Sequence, residues 1–487
     1  MQRLNPATLA TADASVQRFA YDRGTVTPGI VHLGIGAFHR AHQAVYADDI
    51  LSEARDWGIV GASLRRPDTK EALDPQGGLY TVAVRDAAGT RCRIIGSVLE
   101  VIDATSEGER LLALMASPAI RIVSLTVTEK GYCHDPATGH LDLGHSDIIH
   151  DLADPSHPVS APGFIVEALD RRRRAGLQPF TVMSCDNLPS NGHTAGRIVR
   201  EFAGQRGAEL AAYVDGVAFP STMVDRIVPA TTDADRAAIT GMVGLEDAWP
   251  VVTEPFTQWV IEENFPLGRP PFHKVGAQLV AEVEPFERMK LRMLNGAHSS
   301  LAYLGYLAGH QYVSEVMQDI AFRRVIGDLM GLEAMPTLDM PGVDLSHYRD
   351  ELLARFANPA LKHRTWQIAM DGSQKLPQRL LGTIADRLAA GAGIERLALG
   401  VAAWMRYVKG VDEKGEAIDV RDPLAARFKA IADAAGSDPA KLVDGLLAVR
   451  EVFGSELPGN TVFRETLVRH LGSLFQRGAA ATVAAIK

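Results

Sequence analysis

The sequence predicts an α/β protein, with an N-terminal Rossmann-type dinucleotide-binding domain followed by a mostly α-helical C-terminal domain. Three observations carry that expectation. Short β-branched runs alternate with amphipathic segments through the first half of the chain; the first run ends in a Gly-x-Gly turn that opens a helix; and the sequence beyond residue 286 is almost wholly helical in period.

The strand-like runs are TPGIVHLGIG (27–36), WGIVGASL (57–64), RCRIIGSVLEVI (91–102), IRIVSLTVTEKGY (120–132) and PFTVMSCDN (179–187). Helical patterns lie between them, such as HRAHQAVYADDILSEAR (39–55) and SEGERLLALMAS (106–117). Strands alternating with helices imply a mainly parallel sheet covered on both faces. The stretch over 250–285 is rich in prolines and turn formers and reads as a connector. The expected domains are therefore 1–280, binding the dinucleotide, and 281–487, a helical substrate domain.

Composition narrows the function classes. With 487 residues, 46% hydrophobic and 22% charged, the chain resembles an ordinary multidomain protein with a large core. A formal net charge of -9 argues against nucleic-acid and anionic-membrane partners, which need a positive field. The RRRR run at 171–174 reads as a solvated helix end. No uninterrupted apolar run of about 18 residues is present, so no membrane span is expected. The N-terminal residues lack the apolar core of a secretory signal. Cys92, Cys133 and Cys185 lie too far apart for a disulfide framework or a thiolate zinc site, which predicts a reducing, cytoplasmic setting.

After the first strand, Gly34 and Gly36 permit a tight turn and close backbone approach by a pyrophosphate at a helix N-terminus. His39 stands where the usual fingerprint has its third glycine. Gly34, Gly36, Phe38 and Arg40 are the candidate cofactor contacts, with Arg40 either reaching a phosphate or lying on the surface. Beyond the second strand comes Arg65-Arg66-Pro67-Asp68. An acid here binds the adenosine ribose of NAD, whereas arginines here accept the extra phosphate of NADP. Asp68 favours NAD; Arg65 and Arg66 keep NADP open.

The segment MKLRMLNGAHSSLAYLGYL (289–307) is apolar enough for a buried helix, yet it carries Lys290, Asn295 and His298. At about 100° per residue these three share an arc of about 140° with Leu291, Leu294 and Leu301, which a solvated face would not carry. A lysine in such an interior loses hydration, and its pKa falls toward the range of a general base. The alternative is a lysine snorkelling from the helix start beside a satisfied core histidine. Asn187, at a strand end, is either a turn former or an amide donor to an oxygen that becomes negative. Asp225, within MVDRIVP (223–229), either orients substrate or pairs with Arg226. No histidine or carboxylate cluster has catalytic-metal spacing, so no metal is expected.

These stretches together resemble the long-chain polyol dehydrogenase family, which includes mannitol 2-dehydrogenase and the hexuronate reductases. The carrying segments are GIGAFHRAHQAVY (34–46), SLTVTEKGYC (124–133), TVMSCDNLPSNG (181–192), MVDRIVP, EPFTQWVIEENF (254–265), GRPPFHKVGAQ (268–278) and the Lys-x4-Asn-x2-His helix. The resemblance runs over nearly the whole chain. It implies metal-independent hydride transfer between a secondary alcohol and a nicotinamide cofactor, NAD being favoured by Asp68. It assigns Lys290 as general base or acid, Asn187 and Asn295 as the pair holding the developing alkoxide, and His298 and Asp225 as substrate-positioning groups. Glu129 matches a carboxylate that exchanges protons between the lysine and solvent.

One departure bears on substrate. Where the mannitol enzymes carry an arginine before the Asp-Gly-Ser segment, this chain has Gln367, in HRTWQIAMDGSQKLPQRLL (363–381). That moves the expected reaction toward a sugar acid, D-fructuronate to D-mannonate, whose carboxylate calls for fixed cations. Arg364 and Lys375 are the candidates; Arg379 and Arg292 rank lower, Arg292 because it lies off the polar arc. The rival expectations are a mannitol or arabinitol dehydrogenase and a nucleotide-binding sensor without catalysis, which would have no use for a buried base. The oligomeric state stays open, a monomer included.

Overall fold

The computed structural model describes residues 1–135 and 138–486. They form two compact units, Met1–Glu284 and Pro285–Lys487.

The first unit is built on strands β1 (Pro28–Leu33), β2 (Gly58–Ser63), β3 (Tyr80–Asp86), β4 (Gly89–Ile95), β5 (Val98–Asp103) and β6 (Ile122–Leu125). It continues with β7 (Thr181–Ser184), β8 (Thr222–Asp225), β9 (Val251–Thr253), β10 (Gln258–Glu262) and β11 (Gln278–Val280). Five of these make a wholly parallel sheet in the order β5-β2-β1-β6-β7. Alternation along each strand divides the core between its faces. Val31, Leu33, Val60, Val123 and Val182 pack with helices Ala104–Ala116, Ala161–Arg174 and Asn191–Arg206. Ile30, Ile59, Ile122 and Met183 face the other way, onto helix α2 (Gln43–Ile50) and the small sheets.

Several expectations are revised. RCRIIGSVLEVI is two strands broken at Gly96-Ser97: β4 turns back on β3 while β5 joins the parallel sheet. The stretch read as a connector contains β9, β10 and β11, which complete the sheets β4-β3-β9 and β11-β10-β8. Its prolines sit between these short strands or just outside them, where sheets tolerate them. The helix expected over 39–55 is interrupted at His42, leaving α1 (Ala37–Ala41) and α2. Within RRRR only part is solvated. Arg171 pairs with Glu109 and Glu167, but Arg172 is 2% exposed and donates to the carbonyls of Ser117, Ile120 and Gln178.

The second unit is helical. Helix Gly296–Leu307 is its axis, buried at every position but Tyr306 and flanked by Glu395–Tyr407, which packs in turn on Thr461–Ala485. Gly400 permits that close approach, since a Cβ there would lie 2.2 Å from Ser300 Oγ. Among the described residues, no helix is long and apolar enough to cross a membrane.

Candidate active site

The carboxyl end of β1 carries the candidate cofactor turn. Gly34 adopts φ +90°, and a Cβ there would lie 2.3 Å from the Thr126 carbonyl, so only glycine makes this turn. Its N–H donates to the Ala62 carbonyl at 2.9 Å and its carbonyl accepts from Thr126 Oγ1 at 2.7 Å, tying the turn to both neighbouring strands. At Gly36 the nearest atom to an added Cβ is 3.9 Å away, and α1 begins beside this space without a side-chain cap on its first N–H groups. A cleft of about 430 Å³ opens here, lined by Gly34, Gly36, Leu64, Arg65, Asp68 and Thr128 among others. Uncapped N–H groups beside a space without side chains, and a carboxylate at its edge, fit a dinucleotide.

Two other candidates in this turn, Arg40 and Phe38, are not among the residues lining that cleft. Arg40 is 4% exposed: its guanidinium lies 5.3 Å from the Tyr80 ring centroid and donates to the Trp249 carbonyl, so it serves the packing beneath the turn and does not face the cleft. Burial pushes it down to about 10. Phe38 is half-buried and stacks on His42 at 5.1 Å. His39 stacks on His32 at 3.4 Å, and burial holds both imidazoles well below their ordinary value. A side chain at the third fingerprint position is thus accommodated by ring stacking inside the core.

At the far edge of the cleft, Asp68 begins a helix and lies 3.4 Å from Arg66, while Arg65 is ion-paired with Asp147. Cys133, His145 and Asp147 bring potential metal-ligand atoms within 4.8 Å of one another, a grouping that spacing did not reveal. The Arg65 guanidinium already holds that aspartate.

Sequence reasoning passed over Asp186. It is 8% exposed, and its carboxylate accepts from Thr128 N at 2.8 Å, Val127 N at 3.1 Å and Tyr132 Oη at 2.8 Å. Burial pushes its carboxyl up despite these donors. They hold Thr128 at φ 65°, ψ 166°, a strained conformation for a residue with a side chain. Glu129 follows Thr128 and is exposed; Asn187 follows Asp186 and is exposed. Asp225 ends β8, 5% exposed. Its neighbour Arg226 donates to the carbonyls of Glu254 and Ala41.

In the second unit, Lys290–Asn295 is a π-helical turn joining Glu284–Met289 to Gly296–Leu307. Its closing bond runs from Gly296 N to the Leu291 carbonyl, five residues back. In such a turn positions five apart come round to the same side, so Asn295 lies nearer to Lys290 in angle than a regular wheel allows. Lys290, Asn295 and His298 are 8%, 6% and 8% exposed. A Cβ at Gly296 would lie 2.6 Å from the Arg379 carbonyl, so glycine lets residues 377–381 approach, and Arg379 donates to Ser299 Oγ at 3.1 Å.

Around His298 the ring of Phe356 stacks at 5.1 Å and His363 meets it edge-on at 4.9 Å. Burial first, then the charges of His363, Arg379, Arg355 and Lys375, holds its imidazole well below the ordinary value. Asn295 Nδ2 and His298 Nε2 are buried and have no hydrogen-bond partner among the described residues. Lys375 donates to the Met370 carbonyl at 2.5 Å, and Asp422 anchors the adjacent Ser373. Arg364 and Gln367 are exposed, and Arg364 is not among the charges acting on His298. Arg379, ranked lower from sequence, is. Arg292 is paired with Asp386 at 2.6 Å.

The strand order, the glycine turn after β1 and the acid beyond β2 define a Rossmann-type nucleotide-binding domain. Residues 28–274 match the mannitol dehydrogenase Rossmann domain and 282–475 the mannitol dehydrogenase C-terminal domain. The chain belongs to the mannitol dehydrogenase family of oxidoreductases. It is 50% identical to the D-mannonate oxidoreductase of Escherichia coli (strain K12) over 487 residues, covering 98% of this chain and 100% of that one. It is also 50% identical to the E. coli oxidoreductase YeiQ over 480 residues, 98% of each chain. The structure of Pseudomonas fluorescens mannitol 2-dehydrogenase in ternary complex with NAD and D-mannitol matches with a TM-score of 0.87 and 42% identity over 99% of each chain.

Proposed function

We propose that this protein is an NAD-dependent oxidoreductase interconverting D-fructuronate and D-mannonate. The observation that carries the reading is the pair of buried, unpartnered atoms, Asn295 Nδ2 and His298 Nε2, beside the cations Arg379, Arg355 and Lys375. Buried polar atoms without partners call for a ligand, and clustered cations favour one that carries a carboxylate. The 50% identical D-mannonate oxidoreductase supports the same substrate pair. Equal identity to YeiQ, whose name carries no substrate, means that identity alone does not select it.

In the oxidation direction Lys290 takes the hydroxyl proton. Asn187 and Asn295 donate amide N–H groups to the oxygen as it becomes negative. Glu129 carries the proton to solvent, and Asp225 and His298 orient substrate hydroxyls. Gly34, Gly36 and Asp68 hold the cofactor, and bound NAD supplies the hydride acceptor. Arg379 and Lys375 hold the substrate carboxylate, with Arg379 taking the place that sequence reasoning offered to Arg364.

The expected result is that purified protein oxidises NADH with D-fructuronate far faster than with D-fructose. Turnover of fructose with none of fructuronate transfers the assignment to a polyol dehydrogenase, the reading that the mannitol-bound relative favours. A second expectation concerns pH. Burial and the neighbouring Arg379 push the Lys375 ammonium down to about 8. It is cationic below that value and neutral above it, so the uronate KM rises as pH climbs through about 8, while a polyol KM does not. A uronate KM that stays flat from about pH 7 to about pH 9 removes Lys375 from the carboxylate site.

A further inference from the structure

We propose that Asp147 sets the dinucleotide preference of the cleft by occupying the guanidinium that a 2′-phosphate would otherwise use. The proposal rests on the dinucleotide reading of the cleft given above.

Arg65 follows Leu64 just beyond β2, the place where NADP-binding domains present an arginine to the adenosine ribose phosphate. It lines the cleft together with Asp68. Its Nη2 donates to Asp147 Oδ2, from a helix 82 residues further along the chain. The Asp147 side chain is 17% exposed, against 59% for Arg65, so the carboxylate is the better fixed of the two. His145 Nδ1 caps the same helix by accepting from Asp147 N at 3.2 Å, which fixes where the carboxylate begins. Arg66, the other arginine here, lies 3.4 Å from Asp68 and is itself 79% exposed. Among the described residues lining this edge, each arginine thus has a carboxylate beside it, and neither offers a 2′-phosphate an unneutralised charge.

Of the two acids, Asp68 lines the cleft and suits the ribose hydroxyls, whereas Asp147 pairs with Arg65 without being one of the residues that line it. Replacing Asp147 with asparagine would leave Arg65 with its full charge and remove a negative charge near the 2′ position. NAD carries only a neutral hydroxyl at that position, on which the change of charge has little effect. An exposed ion pair is a weak tie, so the expected gain toward NADP is about threefold to tenfold.

The experiment compares wild type, Asp147→Asn, Arg65→Ala and the double variant as full chains. Thermal-shift titration with 2′,5′-ADP and with 5′-ADP reads binding directly, and kcat/KM with NADP+ against NAD+ reads preference. In Asp147→Asn, 2′,5′-ADP binds about threefold to tenfold tighter, 5′-ADP is unchanged and the NADP+/NAD+ ratio rises equally. The gain disappears in the double variant. No gain for 2′,5′-ADP, or a gain that survives without Arg65, overturns the proposal. A wild type that binds neither nucleotide overturns the dinucleotide reading and this proposal with it.

Discussion

Replacing Lys290 with alanine lowers turnover by about 10²–10⁴-fold, the range over which a positioned general acid or base contributes, while NADH binding persists. The residue begins the π-helical turn, is 8% exposed and shares its segment with Asn295 and His298. Sugar oxidation by the wild type rises with pH as the ammonium gives up its proton, and the variant loses that dependence. Steady-state rates over a pH series, with NADH binding followed by fluorescence, separate a lost proton acceptor from a disrupted cleft. Turnover within about tenfold of wild type would remove Lys290 from the proton step.

Asp186→Ala is expected to destabilise the first unit by about 1–3 kcal/mol, because it leaves the part-buried backbone N–H groups of Val127 and Thr128 without their acceptor. Tyr132 Oη keeps its contact with Ser184 Oγ at 2.5 Å, which limits the loss. Asp186→Asn keeps one carbonyl oxygen and should cost about half as much. Urea unfolding at unchanged m-value provides the measurement. A loss below about 1 kcal/mol for the alanine variant would show that solvent replaces the carboxylate.

How much of this was legible depends on the range over which each feature is encoded. The parallel sheet was legible because alternation and turn residues are local, as was the turn at Gly34, where a glycine between strand and helix has a steric meaning. The break at Gly96-Ser97 and the pairing of β9, β10 and β11 were not, since which strand a short run joins depends on partners far along the chain. The same holds for Arg65 and Asp147. Arg40 and Arg172 were taken for surface or ligand-binding arginines, but both donate to interior carbonyls, and charge type alone does not distinguish those environments. The cluster at 289–307 was found from polar residues in an apolar run. Its wheel was drawn at a uniform angle, however, and nothing in residue type announces a turn that closes over five residues. Which of Arg364 and Arg379 acts on His298 was not legible for a similar reason. Gly296 admits the 377–381 segment, whereas Arg364 stays exposed at a helix start.

The π-helical turn makes this site sensitive to chain length as well as to residue identity. Deleting one residue from 291–294 lets the helix close at the ordinary spacing, which is locally easier. The deletion would rotate Lys290 by about 100° relative to His298. Such a shortened chain would retain its apolar surfaces and fold, with its proton acceptor facing the wrong wall. A one-residue deletion here is thus an off switch that leaves every side chain of the site intact.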